Sequence, residues 1–296
     1  FFSCLLRALG NSVVPLIFLA VSTVLNIGLD LLFVVVFPWG IKGAAIATVI
    51  SQYVSAVGIG IYVVKSCREL LPKRSEWHLD KKIFKEIINL SSLTCLQQSV
   101  MNFGILMVQG LVNSFGTTIM AAFTAGVKID TFAYLPVQDF GNAFSTFVAQ
   151  NYGAKKHDRI RKGTREAFAI SIIFSIIISA LVCIFAAPLI KIFVSSKDVE
   201  VIAAGVKYLR IEGAFYCGIG CLFLLYGYYR AINKAEMSVV LTVISLGMRV
   251  ILAYILSAII GETGIWLAIP IGWVLADITG IAYMKAREKT IFSKKG

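Results

Sequence analysis

Residues 166–190 read EAFAISIIFSIIISALVCIFAAPLI, and after Glu166 no charge interrupts them. An α-helix rises about 1.5 Å per residue, so about 20 such residues cover the hydrocarbon core of a bilayer. The run shows little period-2 alternation, and a backbone in lipid must satisfy its own polar groups, so the stretch predicts a membrane-crossing helix and not a barrel strand. Working outward, comparable runs fall at about 13–37, 43–64, 87–113, 118–150, 203–229, 237–260 and 264–284. These make eight crossings, with residues 1–6 as the stub of a ninth. Composition agrees, at 58% hydrophobic and 15% charged against roughly 45–50% apolar in soluble domains. The fold class predicted is all-α, a polytopic membrane protein.

The net charge of +12 does not point to nucleic acid, because the basic residues follow alternate loops and do not form one face. One connection holds Lys65, Arg68, Lys73, Arg74, Lys81, Lys82 and Lys85; another holds Lys155, Lys156, Arg159, Arg161, Lys162 and Arg165. Arg230 and Lys234 mark the next alternate loop, and Lys285, Arg287, Lys289, Lys294 and Lys295 the tail. The intervening loops are poor in Lys and Arg, so the positive-inside rule places the basic set and the carboxyl terminus in the cytoplasm. A multi-pass protein of the cell inner membrane is the localisation expected.

The chain also repeats itself. Arg7-Ala8-Leu9-Gly10 returns as Arg230-Ala231-Ile232-Asn233, with Ser22 matching Ser245 and Leu29 matching Leu252 at the same offset of 223. The match resumes from Gly43 to Gly264 and from Ala47 to Ala268 at an offset of 221. Two homologous halves are expected, the first lacking about 140 residues at its amino-terminal side.

Within spans, a charge costs on the order of 2.5–3.5 kcal/mol at mid-bilayer even on lenient insertion scales, so each one present asks for a role. The set is Asp30, Lys128, Asp130, Asp139, Arg210, Glu212, Arg249 and Asp277. Asn26 and Asp30 are four apart and share a helical face, which makes a candidate cation or proton site. Thr48, in the small-residue stretch Gly43-Ala44-Ala45-Ile46-Ala47-Thr48, is placed to join them. The competing reading of Asp30 is a structural hydrogen bond near the outer end of its helix. Lys128 and Asp130 on one span face Arg210 and Glu212 on another as two opposite-charge pairs, either a structural network or substrate and gating groups. Arg249 and Asp277 pair in the same way. Asp139 follows Pro136, where a bend is expected.

The six cysteines are scattered and read as packing residues, and the two histidines, His78 and His157, lie in basic loops. No nucleophile–base pair, metal cluster or phosphate loop is present, so an enzyme is not predicted and no cofactor beyond a coupling ion is expected.

With these residues in place, the chain resembles the multidrug and toxic compound extrusion (MATE) family, in the group that includes lipid and polysaccharide flippases. The stretches that carry the resemblance are Arg7-Ala8-Leu9-Gly10, Leu25-Asn26-Ile27-Gly28-Leu29-Asp30, and Gly40-Ile41-Lys42-Gly43-Ala44-Ala45-Ile46-Ala47-Thr48. Phe147-Val148-Ala149-Gln150-Asn151-Tyr152-Gly153-Ala154 and Gly247-Met248-Arg249-Val250 complete the set. The resemblance implies a twelve-helix antiporter of two six-helix lobes that exports lipophilic cations in exchange for Na⁺ or H⁺ by alternating access. It implies that residues 1–66 are the remnant of the amino-terminal lobe, 67–80 an inter-lobe linker, 81–285 a complete carboxy-terminal lobe and 286–296 a basic tail. The DinF-like branch implies a cation site in which Asn26, Asp30 and Thr48 supply the fifth- and sixth-helix elements, with Na⁺ a possible occupant at Asp30.

The NorM-like branch implies acids on the seventh and tenth helices, yet Gln97-Gln98-Ser99-Val100-Met101-Asn102 and Cys217-Gly218-Ile219-Gly220-Cys221 contain none. Gln98 and Asn102, one turn apart, are candidates for polar contact with substrate. Lys128, Asp130, Arg210, Glu212, Arg249 and Asp277 are candidates for substrate binding or gating. The partners expected are cationic small molecules and membrane lipids, with no nucleic acid, and the full-length protein is expected to be a monomer. Two alternatives share the architecture: a flippase for lipid-linked saccharides, and a truncated fragment that transports nothing.

Overall fold

The apolar run at 166–190 forms most of a helix, His157–Ile184, and the short helix that follows it, Ala186–Lys191. The computed structural model describes residues 2–68 and 80–293, with side chains through 286. The expected linker at 67–80 lies largely outside them, as do Lys73, Arg74 and His78; in the tail, so do Lys294 and Lys295 and the side chains of Arg287 and Lys289. The helices are α1 (Phe2–Ala8), α2 (Val13–Asp30), α3 (Gly40–Ser66), α4 (Lys81–Asn113), α5 (Thr117–Gly153) and α6 (His157–Ile184). They continue as α7 (Ala186–Lys191), α8 (Val199–Gly213), α9 (Tyr216–Ala231), α10 (Ala235–Ile260) and α11 (Glu262–Ser293). No strand occurs among the described residues.

Each expected span is occupied by helix. Six are long and apolar enough to cross a membrane, and α8 with α9 makes a seventh if the bent pair is one crossing. The remaining expected span, α5, has the length at 37 residues but is less apolar, carrying Lys128, Asp130 and Asp139. Two helices begin earlier than the apolar runs suggest, α4 at Lys81 instead of 87 and α6 at His157 instead of 166. Their first turns are polar, so hydropathy sees only the portion suited to lipid while the hydrogen-bond ladder runs on into the basic loop. The span 203–229 requires a correction: it is two helices that meet at a 51° bend after Gly213. There Phe215 N–H donates to Glu212 C=O at 3.0 Å and Gly218 N–H to Phe215 C=O at 2.8 Å, three-residue bonds that replace the four-residue ladder.

The chain divides into two units, Phe1–Lys81 and Lys82–Gly296. In the first, α2 packs on α3 through small and hydroxyl residues. Ser22 Oγ donates to Ser51 C=O at 3.1 Å and Ser55 Oγ to Phe18 C=O at 3.1 Å. Among lipid tails apolar side chains gain little by meeting each other, so close backbone approach and interhelical hydrogen bonds carry such contacts. Beyond Asp30, α2 widens into a π turn over Leu31–Val36, with Phe37 N–H donating to Leu32 C=O at 3.0 Å.

In the second unit the core is built around α5, α8, α9 and α11. Trp266, fully buried, stacks on Phe123 at 5.5 Å between centroids and meets Tyr208 edge-on at 4.9 Å. Three helices are thereby pinned at one aromatic cluster, a geometry that aromatic quadrupoles favour. Outside, α6 shows Ile170, Ile173, Ile176, Ile177, Leu181 and Ile184 exposed. An apolar stripe of that extent is the surface a bilayer would cover.

Candidate functional site

Two close approaches set the position of Asp130 in the second unit. Helices α5 and α9 meet where a Cβ on Gly227 would lie 2.6 Å from Gly141 C=O, so backbone meets backbone. Helix α8 meets α5 at Gly126, where a Cβ would lie 2.3 Å from the ring of Tyr208. Gly126 is one turn before Asp130, so the ring that fills the missing side chain's place carries its hydroxyl to the carboxyl. Tyr208 Oη donates to Asp130 Oδ2 at 2.5 Å, and Tyr216 Oη donates to Asp130 Oδ1.

Asp130 is 2% exposed and Glu212 4%. Glu212 lies one turn after Tyr208, at the end of α8, and interacts with both Asp130 and Tyr208. Its Oε2 is buried with no hydrogen-bond partner. The opposing charge acting on both acids is Arg249 of α10, whose own Nε has no partner. Two buried carboxyl groups thus meet two phenols and the charge of one guanidinium, beside the break between α8 and α9.

The opposite-charge pairs expected between Lys128, Asp130, Arg210 and Glu212 do not form. Among the described residues, ion pairs include Asp158–Arg161 at 3.7 Å, Lys162–Glu166 at 3.9 Å and Lys207–Glu262 at 3.0 Å. Lys128 and Arg210 form none of them and are exposed, while Asp130 and Glu212 are buried. The cause is rotational: residues two apart on a helix point about 200° apart, so an inward Asp130 turns Lys128 out and an inward Glu212 turns Arg210 out. Arg249 and Asp277 do not pair either. Arg249 serves the Asp130–Glu212 pair, and Asp277, with a buried Oδ1 lacking a partner, neighbours Cys217, Cys221 and Tyr226. Gln98 and Asn102 are exposed on α4, where the buried amide is Gln97, and Asp139 is exposed on α5.

In the first unit, α2 and α3 bring Asn26 and Thr48 together, with Asn26 Nδ2 donating to Thr48 Oγ1 at 3.5 Å. Thr48 Oγ1 itself donates to Ala44 C=O at 3.0 Å. Asp30 follows Asn26 by one turn and is half-buried, and its Oδ1 is shut from solvent with no hydrogen-bond partner. The amide and the hydroxyl therefore meet, and one turn further along α2 the Asp30 carboxyl keeps one oxygen uncommitted.

Tyr208 and Tyr216 carry no charge, so a search of the spans for charged residues passes over them. Their signal is the series Tyr208, Glu212, Tyr216, each four apart, a spacing that in an unbroken helix sets two phenols beside an acid. Among the described residues no group of three or more His, Cys, Asp or Glu side chains is arranged to hold a metal ion. A cation at Asp30 would need the mixed oxygen donors of Asn26 and Thr48.

Comparison with known proteins agrees with this architecture. The chain is 31% identical over 288 residues to a probable multidrug resistance protein, YpnP, of Bacillus subtilis, covering 96% of this chain and 63% of that protein. It is 26% identical over 291 residues to the probable multidrug resistance protein NorM of Thermotoga maritima, covering 94% and 60%. In fold it matches the crystal structure of a Vibrio cholerae MATE transporter, VcmN, in its bent form, with a TM-score of 0.88 at 24% identity over 98% of this chain and 66% of that one. The chain spans about three fifths of the length of the curated relatives it matches. The MatE family model matches residues 93–255, more than half of the sequence and the part that holds Asp130, Glu212 and Arg249, and the chain is a multi-pass membrane protein that belongs to the MatE family.

Proposed function

We propose that this chain works as part of a cation-coupled antiporter that exports lipophilic cationic compounds by alternating access, with Na⁺ or H⁺ as the coupling ion. The observation that carries the reading is Asp30, whose Oδ1 is buried without a donor beside the Asn26–Thr48 contact. An uncommitted carboxylate oxygen near an amide and a hydroxyl offers the mixed oxygen donors that a small cation takes. Binding there favours one state of the transporter, and a bound drug favours the other. Each ligand shifts that equilibrium only by its difference in affinity between the two states.

The second unit supports a cationic cargo. Its interior carries Asp130, Glu212 and Asp277 against Arg249, while Lys128 and Arg210 face outward. A diphosphate-bearing lipid would want the opposite balance. The Asp130–Glu212 pair also sits at a discontinuous helix, the place where transporters commonly set ion and substrate groups. In the orientation that the alternating basic loops favour, the carboxyl terminus is cytoplasmic and the membrane is the cell inner membrane.

The test is flux through the full-length gene product in proteoliposomes, with Na⁺ and pH gradients imposed separately. Efflux of a lipophilic cation driven by one of them supports the proposal. Efflux that neither gradient drives, or flipping of a lipid-linked saccharide with no movement of cations, rejects it.

A further inference from the structure

One cavity of the second unit lies away from the acidic cluster and is of opposite character. It encloses about 500 Å³ where α6, α9 and α11 converge near the basic ends of α6 and α11. Its cations are Arg161, Arg165 and Lys285, and no acidic residue is among the described residues lining it. Arg161 is also 3.7 Å from Asp158 on the exposed first turn of α6, while Arg165 and Lys285 form no ion pair among the described residues. Below the cations the wall is apolar, formed by Phe168, Ile281 and Met284. Thr164 stands between the two zones, 8% exposed, with an Oγ1 that is buried and has no hydrogen-bond partner.

The register explains the layout. Arg161, Arg165 and Phe168 follow one another at helical spacing on α6, and Ile281 and Lys285 do so on α11. Two helices therefore present a charged band and then an apolar band in the same order and at the same end. A ligand that fits must be anionic at its head, accept hydrogen bonds there, and continue as hydrocarbon. A free phosphate would satisfy the head and leave the apolar wall unused. Anionic phospholipid meets both demands, and basic pockets between membrane helices recognise such headgroups.

We propose that this cavity is a binding site for anionic phospholipid of the adjoining leaflet. The phosphate is held by Arg161, Arg165 and Lys285, Thr164 Oγ1 donates to a headgroup oxygen, and an acyl chain lies along Phe168, Ile281 and Met284. The site is independent of the compound exported and of the coupling ion.

The test is native mass spectrometry of the full-length protein released from mixed phosphatidylglycerol and phosphatidylcholine vesicles, with lipid adducts counted. Arg165 and Lys285 are exposed, so R165Q/K285Q removes their charge without opening the core. The expected result is retention of phosphatidylglycerol over phosphatidylcholine, reduced about tenfold or more in R165Q/K285Q. It should be unchanged in K156Q/K162Q, which removes two cations from the same basic segment outside the cavity. Equal losses in both double variants would mean general attraction to a basic surface and overturn the site. Displacement of the lipid by millimolar inorganic phosphate would show that the head alone binds, and would overturn the lipid assignment. A Thr164→Val variant gives a further reading, since loss of the hydroxyl should weaken phosphatidylglycerol retention while the charges remain.

Discussion

Tyr208 on α8 donates to Asp130 on α5 across 2.5 Å, and Tyr216, beyond the break in the same crossing, donates to the other oxygen of that carboxyl. One buried acid thus ties together both halves of a bent helix. The bond exists because Gly126 leaves room for the Tyr208 ring and because Trp266 and Phe123 hold it from behind.

Removing one donor tests the energetic weight of that tie. Tyr216→Phe keeps the ring and deletes the hydroxyl, leaving a buried carboxyl oxygen without its partner, which typically costs about 1–3 kcal/mol. Thermal unfolding in detergent should show the loss. Unchanged stability would mean that Tyr216 does not hold Asp130.

Gly126→Ala should act through the same bond, because its Cβ would lie 2.3 Å from the Tyr208 ring and the ring is hemmed in by Trp266. Overpacking of this kind costs on the order of 1–3 kcal/mol. Gly110→Ala on α4 meets nothing within 4 Å and should be neutral or stabilising. If both alanines behaved alike in thermal unfolding, the close approach of α5 and α8 would be in error.

Lys207→Ala makes a useful contrast. Its bond to Glu262 is short at 3.0 Å, but the lysine side chain is 47% exposed and the glutamate 31%. Exposed ion pairs contribute about 0–1 kcal/mol, so the same unfolding assay should barely register the change.

Single cysteines in a cysteine-free background test the orientation. Lys156→Cys and Lys234→Cys should react with a membrane-impermeant maleimide only from the cytoplasmic face, and Ser114→Cys and Lys197→Cys only from outside. Labelling of the Lys156 and Lys234 positions from opposite faces would break the assignment of alternate basic loops to one side.

The helices were legible in the sequence because a span's length and apolarity are local properties. The bend after Gly213 was not, since Gly213-Ala214-Phe215 is as apolar as its surroundings and the break shows only in the backbone bonds from Phe215 to Glu212 and from Gly218 to Phe215. The contact of Asn26 with Thr48 followed from spacing and small residues, and the structure brings the two together. The partners of Asp130 did not follow from sequence. Charge alone suggested Arg210, whereas helix rotation turns Arg210 out and brings Tyr208, Glu212 and Tyr216 in. Sequence names the charged residues in a span, but a two-residue spacing lets only one of each pair face the core.

The most direct test of cation coupling is exchange by the full-length gene product and its Asp30→Asn form, side by side in proteoliposomes. Loading with a lipophilic cation and imposing a pH or Na⁺ gradient should drive efflux in the parent and little or none in the variant, with both proteins inserted to the same extent. Efflux that responds to the gradient equally in the two would contradict the assignment of Asp30 as the coupling group.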